Sequence, residues 1–189
     1  MAKYRVLIAY AHGIKDGFTQ SIAEEIAAVL REDGFDTELR PAAEVVSVGP
    51  YDAVVLGGAL RANRWHRDAR RFARRHAAQL RSRPVWLFSS GPAGTAASEP
   101  GAAPVRGASR AMNRAGARGH ITFGSRPVRH LRGLLDRSAA DRDVGREADR
   151  DVDRGRGWPG DGRAPAADHQ DMSRVRDWAH HIANEVNGP

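Results

Sequence analysis

The sequence predicts a doubly wound parallel α/β sheet, and three observations carry that prediction. Three short apolar runs each end in small, bendable residues: Val6-Leu7-Ile8-Ala9-Tyr10 into Ala11 to Thr19, Ala53-Val54-Val55-Leu56 into Gly57-Gly58-Ala59, and Val85-Trp86-Leu87-Phe88 into Ser89-Ser90-Gly91-Pro92-Ala93-Gly94. Tyr51 to Gly57 is an almost continuous apolar run, the pattern of a strand covered on both faces. Amphipathic helical stretches alternate with these strands, as crossover connections in a parallel sheet require. Ligands of such sheets bind outside the carboxyl ends of the strands, so the three loops are expected to form one rim.

Each element follows in chain order. Tyr4 to Tyr10 is the first strand, and Ile22, Ile26, Val29 and Leu30 then mark one face of a helix that Thr19 or Ser21 can cap and Asp33-Gly34 ends. Asp36 to Arg40 is more polar and reads as an edge strand, with a short helix expected at Ala42 to Val46. After the central strand, Trp65, Ala69, Phe72, Ala73, His76 and Leu80 form one helical stripe, and Arg67, Arg70, Arg71, Arg74 and Arg75 form its wet face. Arg83-Pro84 stops that helix, Val85 to Phe88 is the fourth strand, a helix is expected near Val105 to Ala115, and His120 to Gly124 is the fifth strand.

The pattern changes after Gly124. Residues 126–168 hold ten Arg, eight Asp and one Glu with few apolar residues, too little to offset the entropy of ordering, so this stretch is expected to be a mobile insert. A compensated pair of frameshifts in a GC-rich gene would produce the same composition. Val175, Trp178, Ile182 and Val186 then restore a helical stripe, with Asp171 or Ser173 as its cap. One domain over residues 1–189 is the expectation for this length.

Composition narrows the function. The absence of cysteine excludes a disulfide framework and a thiol nucleophile or ligand, so redox chemistry would need a cofactor. Only Lys3 and Lys15 among 30 basic residues are lysines, and no nucleic-acid module accompanies the net charge of +7. The charge therefore reads as a solvated arginine surface, with no nucleic-acid partner. No apolar run approaches a membrane span, which makes a cytoplasmic protein with at most peripheral membrane contact the expectation. No Gly-Lys-Ser/Thr phosphate loop, nucleophile elbow or acidic pair at the first strand is present, so nucleoside triphosphatase, hydrolase and phosphoacceptor chemistries drop out. His66 and His180-His181 lack partners at metal-ligand spacing.

The first loop has the makings of an anion cradle: a glycine-containing turn, the Thr19 hydroxyl and the positive end of a helix dipole. With Val6 to Tyr10, Gly17-Phe18-Thr19 and Ile22-Ala23-Glu24-Glu25-Ile26-Ala27, the chain resembles the flavodoxin family, whose strand order is 2-1-3-4-5 with helices on both faces. Tyr51 to Gly57, Arg64-Trp65 with Ala69-Arg70-Arg71-Phe72, and Pro84 to Pro92 are similar to flavodoxin-domain proteins related to quinone-dependent protoporphyrinogen dehydrogenase. The resemblance implies flavin mononucleotide (FMN) as cofactor. It places the FMN at His12, Gly13, Gly17, Phe18 and Thr19, at Gly58, Ala59, Leu60 and Arg61, and at Ser89, Ser90, Gly91, Pro92, Ala93 and Gly94.

It further implies electron transfer or an FMN-dependent oxidoreductase, with a redox partner protein, a quinone or a small-molecule substrate, and no acid, base or nucleophile from the protein. Ile14 and Asp16 stand where the family's phosphate loop has hydroxyls, and Asp16 sets a carboxylate beside the phosphate that Lys15 and His12 partly offset. Relatives carry an aromatic residue near Arg61. A flavodoxin-like scaffold without its cofactor, serving as a binding module or persisting as a degenerate gene product, is the alternative reading.

Overall fold

Val54, Val55 and Leu56 have no solvent-exposed surface, because their strand lies at the middle of the sheet with helices on both sides. The computed structural model describes residues 4–12, 17–92, 103–125 and 169–188. Its strands are β1 (Arg5–Ala11), β2 (Asp36–Pro41), β3 (Ala53–Arg61), β4 (Arg64–Trp65), β5 (Val85–Pro92) and β6 (Gly119–Ser125). The parallel strands lie in the order β2-β1-β3-β5-β6, and β4 pairs antiparallel with β3 alone. With that short hairpin arm set aside, the order is the predicted 2-1-3-4-5.

Helices α1 (Gly17–Glu32) and α5 (His169–Asn187) cover one face, against Val6, Ile8, Val55, Trp86 and Phe88. Helices α2 (Arg67–Arg75), α3 (Ala77–Leu80) and α4 (Arg106–Ala115) cover the other, against Leu7, Ala9, Val54, Leu56 and Leu87. The alternation along each strand feeds both layers, and each fully buried large side chain is worth about 1.5–3 kcal/mol. In α5, Val175, Ala179 and Ile182 point inward, and Trp178 meets the edges of Phe88 and Phe123 at 6.3 and 5.9 Å. Arg176 ties α5 to α1 through Glu25 and Glu32, at 2.7 and 2.8 Å. No helix among the described residues is long and apolar enough to cross a membrane.

Four local expectations are corrected. Ala42 to Glu44 forms turns rather than a helix, with Ala42 N–H bonded to Tyr10 C=O at 2.7 Å. Thr19, Ser21, Asp171 and Ser173 lie inside α1 and α5 and therefore cap neither. The stripe from Trp65 to Leu80 is three elements: Trp65 belongs to β4, and the helix breaks at the buried His76 between α2 and α3. Periodicity does not register that break, because Phe72, His76 and Leu80 keep a spacing of four across it. Finally, the second and third strands of the rim run longer than read, to Arg61 and Pro92, so Gly58 to Arg61 and Ser89 to Pro92 are strand residues rather than loop. Residues 126–168, with Gly13, Ile14, Lys15, Asp16, Ala93 and Gly94, lie outside the described residues.

Candidate functional site

The carboxyl ends of the strands meet in register. Ala11 pairs with Gly58, Gly58 with Ser89, and Ser89 with Thr122, which makes one row across four strands. One residue further along, Ala59, Ser90 and Phe123 form the next row. The three sequence segments expected to share a rim therefore do share one end of the sheet. His12 follows β1 directly, and its ring stacks parallel on Tyr10, with centroids 5.5 Å apart. Burial, helped by the charges of Glu24 and Glu44, pushes the Tyr10 phenol up.

Two glycines at this end exist for packing. A Cβ on Gly57 would run into the ring of Phe88. A Cβ on Gly58 would lie 2.5 Å from Trp65 Nε1. Because successive strand residues face opposite ways, the two aromatic rings cross the sheet on opposite sides at adjacent positions. Trp65 is 1% exposed, so its indole is core, and its buried Nε1 has no hydrogen-bond partner among the described residues.

Beyond Gly58, Ala59 is buried, Leu60 is half-buried against the α2–α4 core, and Arg61 is exposed opposite Arg64. The turn between them is a two-residue hairpin, with Ala62 and Asn63 both left-handed at φ 47° and 57°. That is the backbone a primed turn requires, and asparagine tolerates it well. Alanine does not, which is why the hairpin left no mark in the sequence.

Thr19 is the residue that joins the first segment to the third. It is 1% exposed in the first turns of α1, and its Oγ1 lies 2.5 Å from Ser90 Oγ, itself 3% exposed. Two hydroxyls sharing one hydrogen bond use one of their two protons. The second proton finds no other side-chain acceptor among the described residues, and it is available to a third oxygen. Phe18 is half-buried against the α1–α5 core, and Gly17 is exposed, with its carbonyl accepting from the Ser21 hydroxyl at 3.1 Å.

The neighbouring Ser89, fully buried, lies 2.8 Å from His120 Nε2 on the opposite face of the sheet from Ser90. Burial holds the His120 imidazole down at about 4, so it is neutral near pH 7. This pair was not legible in the sequence, because its members lie on adjacent strands 31 residues apart and neither belongs to a motif. Gly91 packs under Leu60, where a Cβ would come within 3.1 Å.

The family follows from this geometry together with the sequence. A family model described as a flavodoxin domain matches residues 7–115, more than half of the 189 residues. The chain belongs to the flavodoxin domain family. Among solved structures similar to it is a flavodoxin from the domain Archaea, at 12% identity and TM-score 0.59, covering 96% of this chain and 98% of that one. Rubredoxin oxygen:oxidoreductase from Desulfovibrio gigas matches at 11% identity and TM-score 0.61, over 96% of this chain and 36% of that one. Flavodoxin 2 from Bacillus cereus matches at 18% identity and TM-score 0.55, over 96% and 99%. At these identities the likeness is one of fold. No curated protein matches the sequence.

Proposed function

We propose that this flavodoxin-family chain binds FMN at the carboxyl end of its sheet and serves electron transfer. The observation that carries the reading is the buried Thr19–Ser90 hydroxyl pair, which brings the first and third rim segments together and keeps one proton to donate. The donor set fits the group. Hydroxyls and strand-end backbone N–H groups suit an anionic phosphate and ring carbonyls. When bound, the flavin supplies the one- and two-electron chemistry.

The chain's own part is to hold and shield. Thr19 and Ser90 would hold the phosphate or a ring carbonyl with their shared hydroxyl proton, and the neutral His120 holds the Ser89 hydroxyl in place below them. Phe88 and Trp65, packed over Gly57 and Gly58, keep the strand ends rigid beneath the site. Within this class, the resemblance of Arg64-Trp65, Ala69 to Phe72 and Pro84 to Pro92 adds an FMN-dependent oxidoreductase, with porphyrinogen oxidation and a quinone acceptor as its example, beside simple electron carriage. A cofactor-free scaffold is the second reading, favoured by Thr19 already having Ser90 as a partner.

Titration with FMN and with riboflavin, which lacks the phosphate, tests the reading. FMN binds, and Thr19→Ala weakens it by about ten- to a hundredfold, the worth of a hydrogen bond to a charged group, while riboflavin affinity is unchanged. Equal losses for the two flavins would move Thr19 to the ring. Binding of neither flavin by the unaltered protein would leave the cofactor-free scaffold.

A further inference from the structure

Away from the carboxyl-end row, a groove of about 350 Å³ lies between α2 and α4, lined by Arg67, Arg70, Arg71, Arg74, Arg110 and Arg114, all exposed. On α2 the four arginines recur at spacings of three and four, so they form one edge about 10 Å long. Arg110 and Arg114, one turn apart on α4, form the facing edge. The helices come this close because Gly107 has no side chain: a Cβ there would lie 3.2 Å from both Trp65 Cβ and Arg70 Cδ.

No carboxylate lines this groove. The two helices hold a single acidic residue, Asp68, which sits 3.6 Å from Arg67 Nε and 3.8 Å from His66 Nδ1. Arg70, Arg71, Arg74, Arg110 and Arg114 have no ion-pair partner among the described residues. By contrast, Arg176 on α5 meets two carboxylates, and Arg5 meets Asp36 and Glu38. Like charges one turn apart repel, so an uncompensated double row is relieved by an anion laid between its edges.

We infer that this groove docks an acidic segment of a partner protein. An extended peptide repeats its side chains on one face about every 6.7 Å, so two carboxylates fit along the arginine edge. Guanidinium groups bind carboxylates in paired hydrogen bonds, which suits a row of forks on each side. The lining is arginine, glycine and alanine only, without the aromatic platforms on which single-stranded nucleic acid stacks. Arg67 follows His66, whose N–H bonds Ala59 C=O at 2.9 Å, so the groove opens at the carboxyl end of the sheet and seats its partner beside that row. The electron-transfer meaning of that position rests on the flavin reading; the groove itself does not.

Fluorescence anisotropy with a labelled poly-glutamate peptide tests the docking, with labelled single-stranded DNA as the second probe. The peptide binds, salt weakens it, and the double variant Arg70→Gln/Arg110→Gln loses at least about tenfold in affinity, as close charge pairs across interfaces do. Arg31→Gln, an exposed arginine on α1 under the opposite face of the sheet, leaves binding unchanged. An equal loss in Arg31→Gln would show attraction to net charge alone and overturn the proposal. Tighter binding of the DNA, lost in the same double variant, would also overturn it, because the groove would then read phosphates. FMN titration of the unaltered protein keeps the two readings apart: peptide binding without flavin binding fails only the flavin reading, and flavin binding without peptide binding fails only this one.

Discussion

The two ends of the sheet treat polar groups in opposite ways. At the amino end, Arg5 bonds Asp36 at 3.2 Å with side chains 44% and 55% exposed, its backbone N–H reaches the Asp52 carboxylate at 2.8 Å, and Arg83 holds the carbonyls of Val48 and Tyr51. Water could serve most of these groups equally well, and exposed pairs of this kind contribute about 0–1 kcal/mol each. At the carboxyl end, Thr19, Ser89 and Ser90 are buried, and with His76 they are the buried polar side chains among the described residues. A buried hydroxyl is costly unless it is bonded, so its presence needs a reason beyond solubility. The amino end is a solvated surface; the carboxyl end carries a buried, hydrogen-bonded polar layer.

The sharpest way to break this contrast is to disturb the packing that sets the carboxyl end. Gly57→Ala drives a methyl into Phe88, which Phe123 and Trp178 hold in place, and the expected loss is about 3 kcal/mol in urea unfolding, at the upper end for overpacking. An unchanged midpoint would show that the Phe88 ring gives way and that the strand ends are not held rigid from below.

The second prediction uses pH. Burial lowers His120 from 6.5 to about 4, so above pH 6.5 both folded and unfolded chains carry it neutral. As pH falls from 6.5 to about 4 the unfolded chain takes up the proton first, and stability drops by at most about 3 kcal/mol. Glu38, held below 4.5 by the Tyr51 hydroxyl and then by Arg40, contributes stability that is lost only as pH falls below that range. The carboxyl end thus weakens in mild acid and the Arg5–Glu38–Tyr51 network later. Unfolding measured across this range in His120→Gln should lack the first step. If the step persists, the buried His76, also lowered by burial, carries it instead.

How far the sequence could be read follows from which forces act locally. The strands were legible, because runs such as Val54-Val55-Leu56 and crossovers such as Ile22-Ile26-Val29 are periodic and driven by burial, whereas their order was implied by the family resemblance. The shared end of the three segments was legible too, as a consequence of parallel topology. The β3–β4 hairpin was not, since Ala62 adopts a left-handed backbone without the glycine that announces one. Trp65 read as helix core and is core, but it reaches the α2–α4 side from a strand. Reading Gly58 as a flavin-facing residue missed its packing reason: Trp65, seven residues on, fills the space of the absent side chain. The Thr19–Ser90 and Ser89–His120 bonds are tertiary, and no spacing in the chain encodes them.

The direct test of the contrast is an amide chemical-shift map of isotope-labelled protein titrated with FMN. The prediction is that the shifts concentrate at Thr19, Ala59, Ser89, Ser90 and Gly91 while the amides of Arg5, Asp36 and Asp52 stay fixed. Shifts concentrated at the amino end or along Arg70 to Arg74, or no shifts at saturating flavin, would contradict the assignment of the carboxyl end as the cofactor site.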